Sequence, residues 1–410
     1  MLKDNLPANI FLFVLIFLSP LEGSAQKVWT LDECIAYGLE HNLDLESGRI
    51  VSLQSLGEYQ KSIMEYTPSM NSSGLITLTQ EKRFEPEINI SATLFDGMRR
   101  FNNTRSLKTL HQISEQEFLK TKNEVTISIT RAYLELLLAN ELAKVAKLSY
   151  DNIREQYQRQ KLLYEAGKLS YSSLLDMESQ KSSELMELTN TINQQISQTV
   201  TLTQLMNFPY SEDFIISDLI SHRDILPIER NLVDSIYTMA IGLPQIKSAE
   251  LEVRKKRYDE KIAIGTILPT VSMDMSYNIR KDANIVGLTI RIPIFNKGYA
   301  LYNIKQSTLE KNKYEIELKK KYQQLYKEIQ MSVQDAISYY EEYQAALKLL
   351  EAAEEAFIYH QEKLEVGLIT SIDYNYSKNK LVEARSRSIR AKYKYIFQLK
   401  VLDFYKSAGN

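Results

Sequence analysis

Two stretches of the chain, 98–166 and 299–366, contain neither proline nor glycine. Proline inside a helix costs about 3 kcal/mol and glycine about 1 kcal/mol relative to alanine, so nothing in either stretch obliges a helix to stop. At about 1.5 Å per residue, ~70 such residues make a helix of ~105 Å. A helix that long has no core of its own and must pack laterally against others, as in a coiled-coil-like assembly. Punctuation is scarce throughout, with 13 Gly and 9 Pro among 410 residues, where average usage is about 7% and 5%.

The two stretches are halves of an internal repeat with an offset of 200 positions. Leu94-Phe95-Asp96-Gly97 returns as Ile294-Phe295-Asn296-Lys297-Gly298, and Tyr164-Glu165-Ala166-Gly167-Lys168-Leu169-Ser170 returns as Leu364-Glu365-Val366-Gly367-Leu368-Ile369-Thr370. Thr67-Pro68-Ser69 matches Leu268-Pro269-Thr270 at an offset of 201. Each repeat reads as helix, two strands, very long helix, glycine turn and return helix. Thr30-Leu31-Asp32-Glu33 is a capping box that opens the first helix. Pro68 and Pro269 push the residue before them out of helical geometry and open the extended segments. Gly167 and Gly367 suit helix C-caps, and Ser170 and Thr370 suit the N-caps of the return helices.

This predicts a leader over 1–25 and a first repeat over 26–208, with strands at about 68–95, a long helix at about 98–166 and a return helix at about 170–207. A second repeat over 245–410 has strands at about 269–295, a long helix at about 299–366 and a return helix at about 370–406. Between them 209–244, with Pro209, Pro227, Gly242 and Pro244, reads as an irregular linker packed part-way along the helices.

The strand segments alternate with period 2. Val271, Met273, Met275, Tyr277 and Ile279 interleave with Ser272, Asp274, Ser276, Asn278 and Arg280; Val286, Leu288, Ile290 and Ile292 interleave with Gly287, Thr289 and Arg291. In the first repeat Ile88, Ile90, Ala92 and Leu94 alternate with Asn89, Ser91 and Thr93. Alternation of this kind fits a soluble hairpin with one face on a core. It equally fits membrane strands of about 9–11 residues with a polar face toward a water-filled barrel and an apolar face toward lipid. Four strands cannot close a membrane barrel, which needs at least about eight, and lipid-exposed open edges are forbidden. Membrane strands here would therefore require a homo-oligomer.

Lys3, the apolar run Ile10 to Leu18, Pro20 and Gly23-Ser24-Ala25 before Gln26 match a secretory signal with a small-x-small cleavage site. The apolar run falls short of the about 20 residues that span a bilayer, and no later window approaches about 18. Lys and Arg total 50 against 52 Asp and Glu, which excludes polyanion binding by bulk charge, so no nucleic acid is expected. Cys34 is the lone cysteine and the four histidines are scattered, so no metal or cofactor is expected. No Gly-x-Ser-x-Gly or other catalytic signature argues for an enzyme.

The sequence resembles the bacterial outer-membrane factor (TolC-like) family of efflux and type I secretion ducts. The likeness rests on Trp29 to Leu43, on the Leu268-Pro269 strand entry, on Pro293 to Gly298 and on the two Gly-x-x-Ser/Thr tips. It implies a mainly α fold with a small β part: a trimer whose long helical hairpins form a periplasmic α-barrel, and whose four strands per chain complete a 12-stranded transmembrane β-barrel. It implies a passive exit duct in the outer membrane of a Gram-negative bacterium, docking on a periplasmic adaptor and an inner-membrane efflux or ABC transporter.

The resemblance also assigns residues. Gly167, Ser170, Gly367 and Thr370 are candidates for adaptor contact, a role compatible with simple capping. Asp373 matches the first position of an acidic constriction ring, and Tyr376 stands at the second acidic position. Three carboxylates on an axis would attract cations, whereas the plainer role for Asp373 is a helix N-terminal acid. Ser173 is the equivalent of Asp373 at the opposite tip, and Ile369 replaces a basic latch residue. The lumen face would comprise Ser272, Asp274, Ser276, Asn278, Arg280, Thr289 and Arg291. The rival expectation is a secreted coiled-coil scaffold or adhesion protein, which leaves the strands without a task.

Overall fold

The computed structural model describes residues 27–77, 83–217, 226–366 and 368–407. The leader expected over 1–25 and the tip glycine Gly367 lie outside the described residues. No described helix is long and apolar enough to cross a membrane.

The first half opens with β1 (Val28–Trp29), α1 (Leu31–His41) and α2 (Leu43–Met64). Thr30 and Glu33 close the capping box: the Thr30 amide donates to Glu33 Oε2 at 2.8 Å and the Glu33 amide to Thr30 Oγ1 at 3.3 Å. The one helix expected here is two, divided at Asn42, whose backbone is extended and whose side chain accepts from the amides of Asp44 and Leu45. Asn42 thus ends one helix and caps the next with no proline at the boundary.

Next come β2 (Ser69–Thr77), β3 (Arg83–Phe95), α3 (Arg99–Glu165) and α4 (Tyr171–Leu205). The second half runs α5 (Val233–Ala240), α6 (Pro244–Gly265), β5 (Thr270–Asn278), β6 (Ala283–Arg291), α7 (Tyr299–Glu365) and α8 (Ser371–Ser407). α3 and α7 each hold 67 residues, about 100 Å of helix.

The segment expected to be an irregular linker holds more. It contains β4 (Ile215–Ile216), which pairs in parallel with β1, and all of α5. α5 and α6 repeat α1 and α2, so the repeat starts well before 245. Pro244 misled because it sits at the first position of α6, where its missing amide costs nothing.

Four antiparallel strands form one sheet in the order β2-β3-β5-β6. The joint between the two hairpins is β3 against β5. Within the described residues β2 and β6 each have one unpaired edge. β5 ends at Asn278, so Ile279 and Arg280, expected to continue the alternation, stand in the turn before β6.

The core sits half-way along the helices in two clusters that repeat the sequence offset. One gathers Cys34, Trp29 and Ile216 around Val125, Ile129, Tyr133 and Leu136 of α3, with Leu202 of α4. The other gathers Ile236, Leu243 and Ile246 around Leu325, Ile329, Val333 and Ala336 of α7, with Leu402 of α8. Each of these five helix positions in the second cluster is 200 residues after its counterpart in the first, as 325 − 125 = 200 illustrates. β1, β4, α1 and α5 thus form a belt around the middle of the long helices. Trp29 anchors that belt, stacked with Phe214 and edge-on to Tyr37 and Phe208.

Candidate functional site: strand face and hairpin tips

Strand register decides which side chains share a face. Ser91 of β3, Asp274 of β5 and Gly287 of β6 are in line, as are Thr93, Ser272 and Thr289, and, within β2, β3 and β5, Asn71, Asn89 and Ser276. One face of the sheet is therefore polar. Asp274 Oδ2 accepts from the hydroxyls of Ser272 and Thr289, each at 3.3 Å. Asn278 donates to Glu87 Oε1 at 3.2 Å, and Lys281 pairs with Glu85 at 3.2 Å. The opposite face carries Met70, Ile88, Ile90, Met273, Met275, Leu288 and Ile290.

Six of the seven residues expected on the lumen face stand on strands, and Ser272, Asp274, Ser276, Asn278, Thr289 and Arg291 share the polar side. Arg280 does not join them, because it lies in the hairpin turn. The first hairpin adds Asn71, Ser73, Glu87, Asn89 and Ser91 to the same face. The alternation of Asn89 and Ser91 was visible in sequence, but only the β2–β3 and β3–β5 registers put all five in line with the second hairpin. Ile285, opposite Ser276, interrupts the polar surface on β6.

At the far end the helical hairpins turn. Gly167 has φ +71°, and the amides of Gly167 and Lys168 donate to the carbonyls of Tyr164 and Leu163, each at 2.8 Å. That pair of bonds is a Schellman closure of α3. At the second tip the Leu368 amide reaches the Lys363 carbonyl at 2.9 Å in the same pattern. Ser170 caps α4 by accepting from the Ser173 amide at 3.2 Å.

Thr370 and Asp373 form a full capping box on α8. The Asp373 amide donates to Thr370 Oγ1 at 3.2 Å, and Asp373 Oδ2 accepts from Thr370 Oγ1 at 2.7 Å and from the Thr370 amide at 3.2 Å. These bonds, the hydroxyl first, hold the Asp373 carboxyl below its ordinary range although it is exposed. Tyr376 is exposed as well, with the Lys380 ammonium 4.5 Å from its ring centre.

Above the tip α8 is fastened to the first hairpin. Gln156 of α3 donates to Tyr374 Oη at 3.3 Å, and Phe357 packs on the same ring. One turn on, Lys378 is only 4% exposed; its ammonium lies 3.5 Å from the Ser149 carbonyl on α3 and 3.7 Å from Glu184 on α4. Burial pulls the Lys378 pKa down, against the pull of Glu184. Sequence inspection missed this contact: nothing local marks a lysine whose partners lie 229 and 194 residues away. Among the described residues no cluster of His, Cys, Asp and Glu could hold a metal ion.

The model of the family described as "Outer membrane efflux protein" matches residues 72–207 and 236–405, covering both hairpins of strands and both pairs of long helices. The chain belongs to the outer membrane efflux protein family. Membership places it in the outer membrane, extending into the periplasm, among channel proteins. Among solved structures it is similar to CusC, with a TM-score of 0.79 at 14% identity over 93% of this chain and 92% of that one. The Campylobacter jejuni CmeC outer membrane channel gives 0.77 at 16% identity over 92% and 86% of the two chains. The Neisseria gonorrhoeae MtrE channel in its open state gives 0.76 at 16% over 93% and 89%. Among curated proteins it is similar to the alkaline protease secretion protein AprF of Pseudomonas aeruginosa, 20% identical over 72% of this chain. That match spans 63% of the length of AprF.

Proposed function

We propose that three copies of this chain assemble into a passive exit duct for efflux or type I secretion. The observation that carries this is the incomplete repetition of contacts inside one chain. α3 has α2 of its own repeat on one flank and α6 of the other repeat on the other, whereas among the described residues α7 packs on α6 with no comparable packing on α2. In the same way β3 pairs with β5 across the repeats, whereas among the described residues β6 and β2 each keep one unpaired edge. A second copy supplies both missing partners if its β2 follows β6 and its α2 follows α7, giving a ring of alternating repeats.

Exposure supports that arrangement. Ile294 is 94% and Phe295 85% exposed at the entry to α7, where Phe95 at the entry to α3 is 39% exposed. Two copies would give eight strands, a barrel whose interior side chains fill, and three give twelve with room for water. The polar sheet face then lines the lumen and the apolar face meets outer-membrane lipid, a task the scaffold alternative does not give these strands.

At the periplasmic end the tips formed by Gly167, Ser170, Gly367 and Thr370 meet a periplasmic adaptor, behind which stands an inner-membrane efflux or ABC transporter. Asp373 and Tyr376 ring the entrance, and the capping box fixes where each Asp373 carboxylate points. The decisive measurement is the native mass of the mature protein extracted from outer membranes in mild detergent. A mass near three chains is expected. Recovery as a monomer without detergent would overturn the duct and favour the coiled-coil scaffold.

A further inference from the structure

Among the described residues Lys378 is the charge that the fold buries most deeply, and its contacts to the chain there are long. An ammonium has three donors, yet its two acceptors stand at 3.5 and 3.7 Å, beyond the about 2.7–3.2 Å of a good N–H···O bond. Two more buried polar atoms in the same neighbourhood lack partners among the described residues: the hydroxyl of Ser149, whose carbonyl Lys378 contacts, and the Asn375 side-chain oxygen three residues before it. Glu184 is itself 16% exposed, so the carboxylate keeps some water while the lysine side chain, at 5%, keeps almost none.

A buried ion pair recovers its desolvation cost only with close geometry and full hydrogen bonding. Here both contacts to the chain are long. Parting the lower ends of the α3–α4 and α7–α8 hairpins would give the ammonium its water back; near the tips the long Gln156–Tyr374 bond also crosses the seam, while half-way along the helices Tyr393 and Ile396 of α8 pack into the core around α3.

We propose that Lys378 is a wedge: a built-in, under-satisfied charge that biases the lower ends of the two hairpins toward separation. It differs from a latch in the sign of one comparison. Glu184→Gln leaves the ammonium buried without its counter-charge and should drive the hairpins apart. Lys378→Met combined with Glu184→Leu removes the same carboxylate together with the ammonium and should draw them together.

The test is the distance distribution between spin labels at Ser179→Cys and Asn379→Cys in the detergent-solubilised full chain. Cys34 has no exposed surface and its thiol is pushed up to about 12 by burial, so it stays unlabelled. Glu184→Gln is expected to populate longer distances, and the double change to narrow the distribution at short ones. Lengthening in both would make the pair a latch, and no shift in either would make it inert; each overturns the wedge. Lys378→Met alone, with Glu184 within reach of water, is expected to shorten distances and stands in if the double variant fails to assemble. The consequence for conduction rests on the duct proposed above. A wild-type protein without conductance in planar bilayers sinks the duct, while the label distances still decide the wedge.

Discussion

Gly97 and Gly265 cross backbone to backbone where the first strand hairpin hands over to α3: a β-carbon on Gly265 would lie 2.6 Å from the Gly97 carbonyl oxygen. Gly97 also has φ +69°, so it needs glycine twice over. Gly97→Ala should cost about 1 kcal/mol for the left-handed backbone and about 1–3 kcal/mol more for overpacking. At Gly298, its repeat counterpart with φ +77°, an added β-carbon would meet nothing within 4 Å among the described residues of one chain. In the proposed ring of repeats the α2 end of a neighbour would take the place of Gly265, and the two substitutions should then reduce trimer recovery alike on native gels. A Gly298→Ala protein that assembles far better than Gly97→Ala would count against that interface.

Tyr133 ties the belt to the long helix. It is buried in the middle of α3, and its hydroxyl points at the carbonyls of Ser217, at 2.7 Å, and Trp29, at 3.2 Å. Tyr133→Phe keeps the ring and removes the donor, leaving a buried carbonyl short of a partner. The expected loss is about 1–3 kcal/mol, felt locally in β1 and β4. Faster hydrogen exchange at the Ser217 amide, which donates to Trp29 at 2.8 Å, with α7 amides unchanged, is the signature; a uniform change across both repeats would contradict it.

What could be read from the sequence was what local chemistry dictates. The absence of glycine and proline gave α3 and α7 almost to the residue, and the Thr30–Glu33 box gave the start of α1. α5 was lost because it is only eight residues long and stands between turn signals, and because Pro244 starts a helix where it seemed to mark a break. The polar face of β5 was legible from alternation, but the β3–β5 register that joins Glu87 to Asn278 is a contact between residues 191 apart, set by packing and not by pattern. Lys378 escaped for the same reason. Its neighbours Ser377 and Asn379 gave no hint that one solvated-looking turn is the buried one.

Asp373 carries a cap and, in the proposed duct, a charge at the entrance, and the two can be separated. Its folded pKa is depressed by the Thr370 hydroxyl and amide. The sign follows: the cap is fully present above the ordinary carboxylate range and is lost as pH falls through the depressed folded value. Asp373→Asn keeps an oxygen acceptor for the cap but no charge, so tip resistance to proteolysis at neutral pH should hold while cation preference in planar bilayers falls. Asp373→Ala should lose both, with cleavage appearing near 368–373. Equal cation preference in wild type and Asp373→Asn would remove the carboxylate from the constriction.

The two faces of β5 give the sharpest separation of lumen from lipid. Ser272 and Ser276 lie on the polar side, and Met273 and Met275 alternate with them on the apolar side, in register with Ala92, Ile90, Leu288 and Val286. A one-residue slip would exchange the two sets completely, since side chains alternate with period 2. Single cysteines at Ser272 and Ser276 should therefore react with a charged, water-borne thiol reagent in intact outer membranes. Cysteines at Met273 and Met275 should resist it and react only with an apolar reagent partitioned into lipid. Cys34 adds no background, because burial leaves it without surface and pushes its thiol up to about 12. Equal labelling of both sets would mean water on both faces of the sheet. The strands would then be a soluble platform, and the missing neighbours of β2 and β6 would have to be sought outside a membrane barrel.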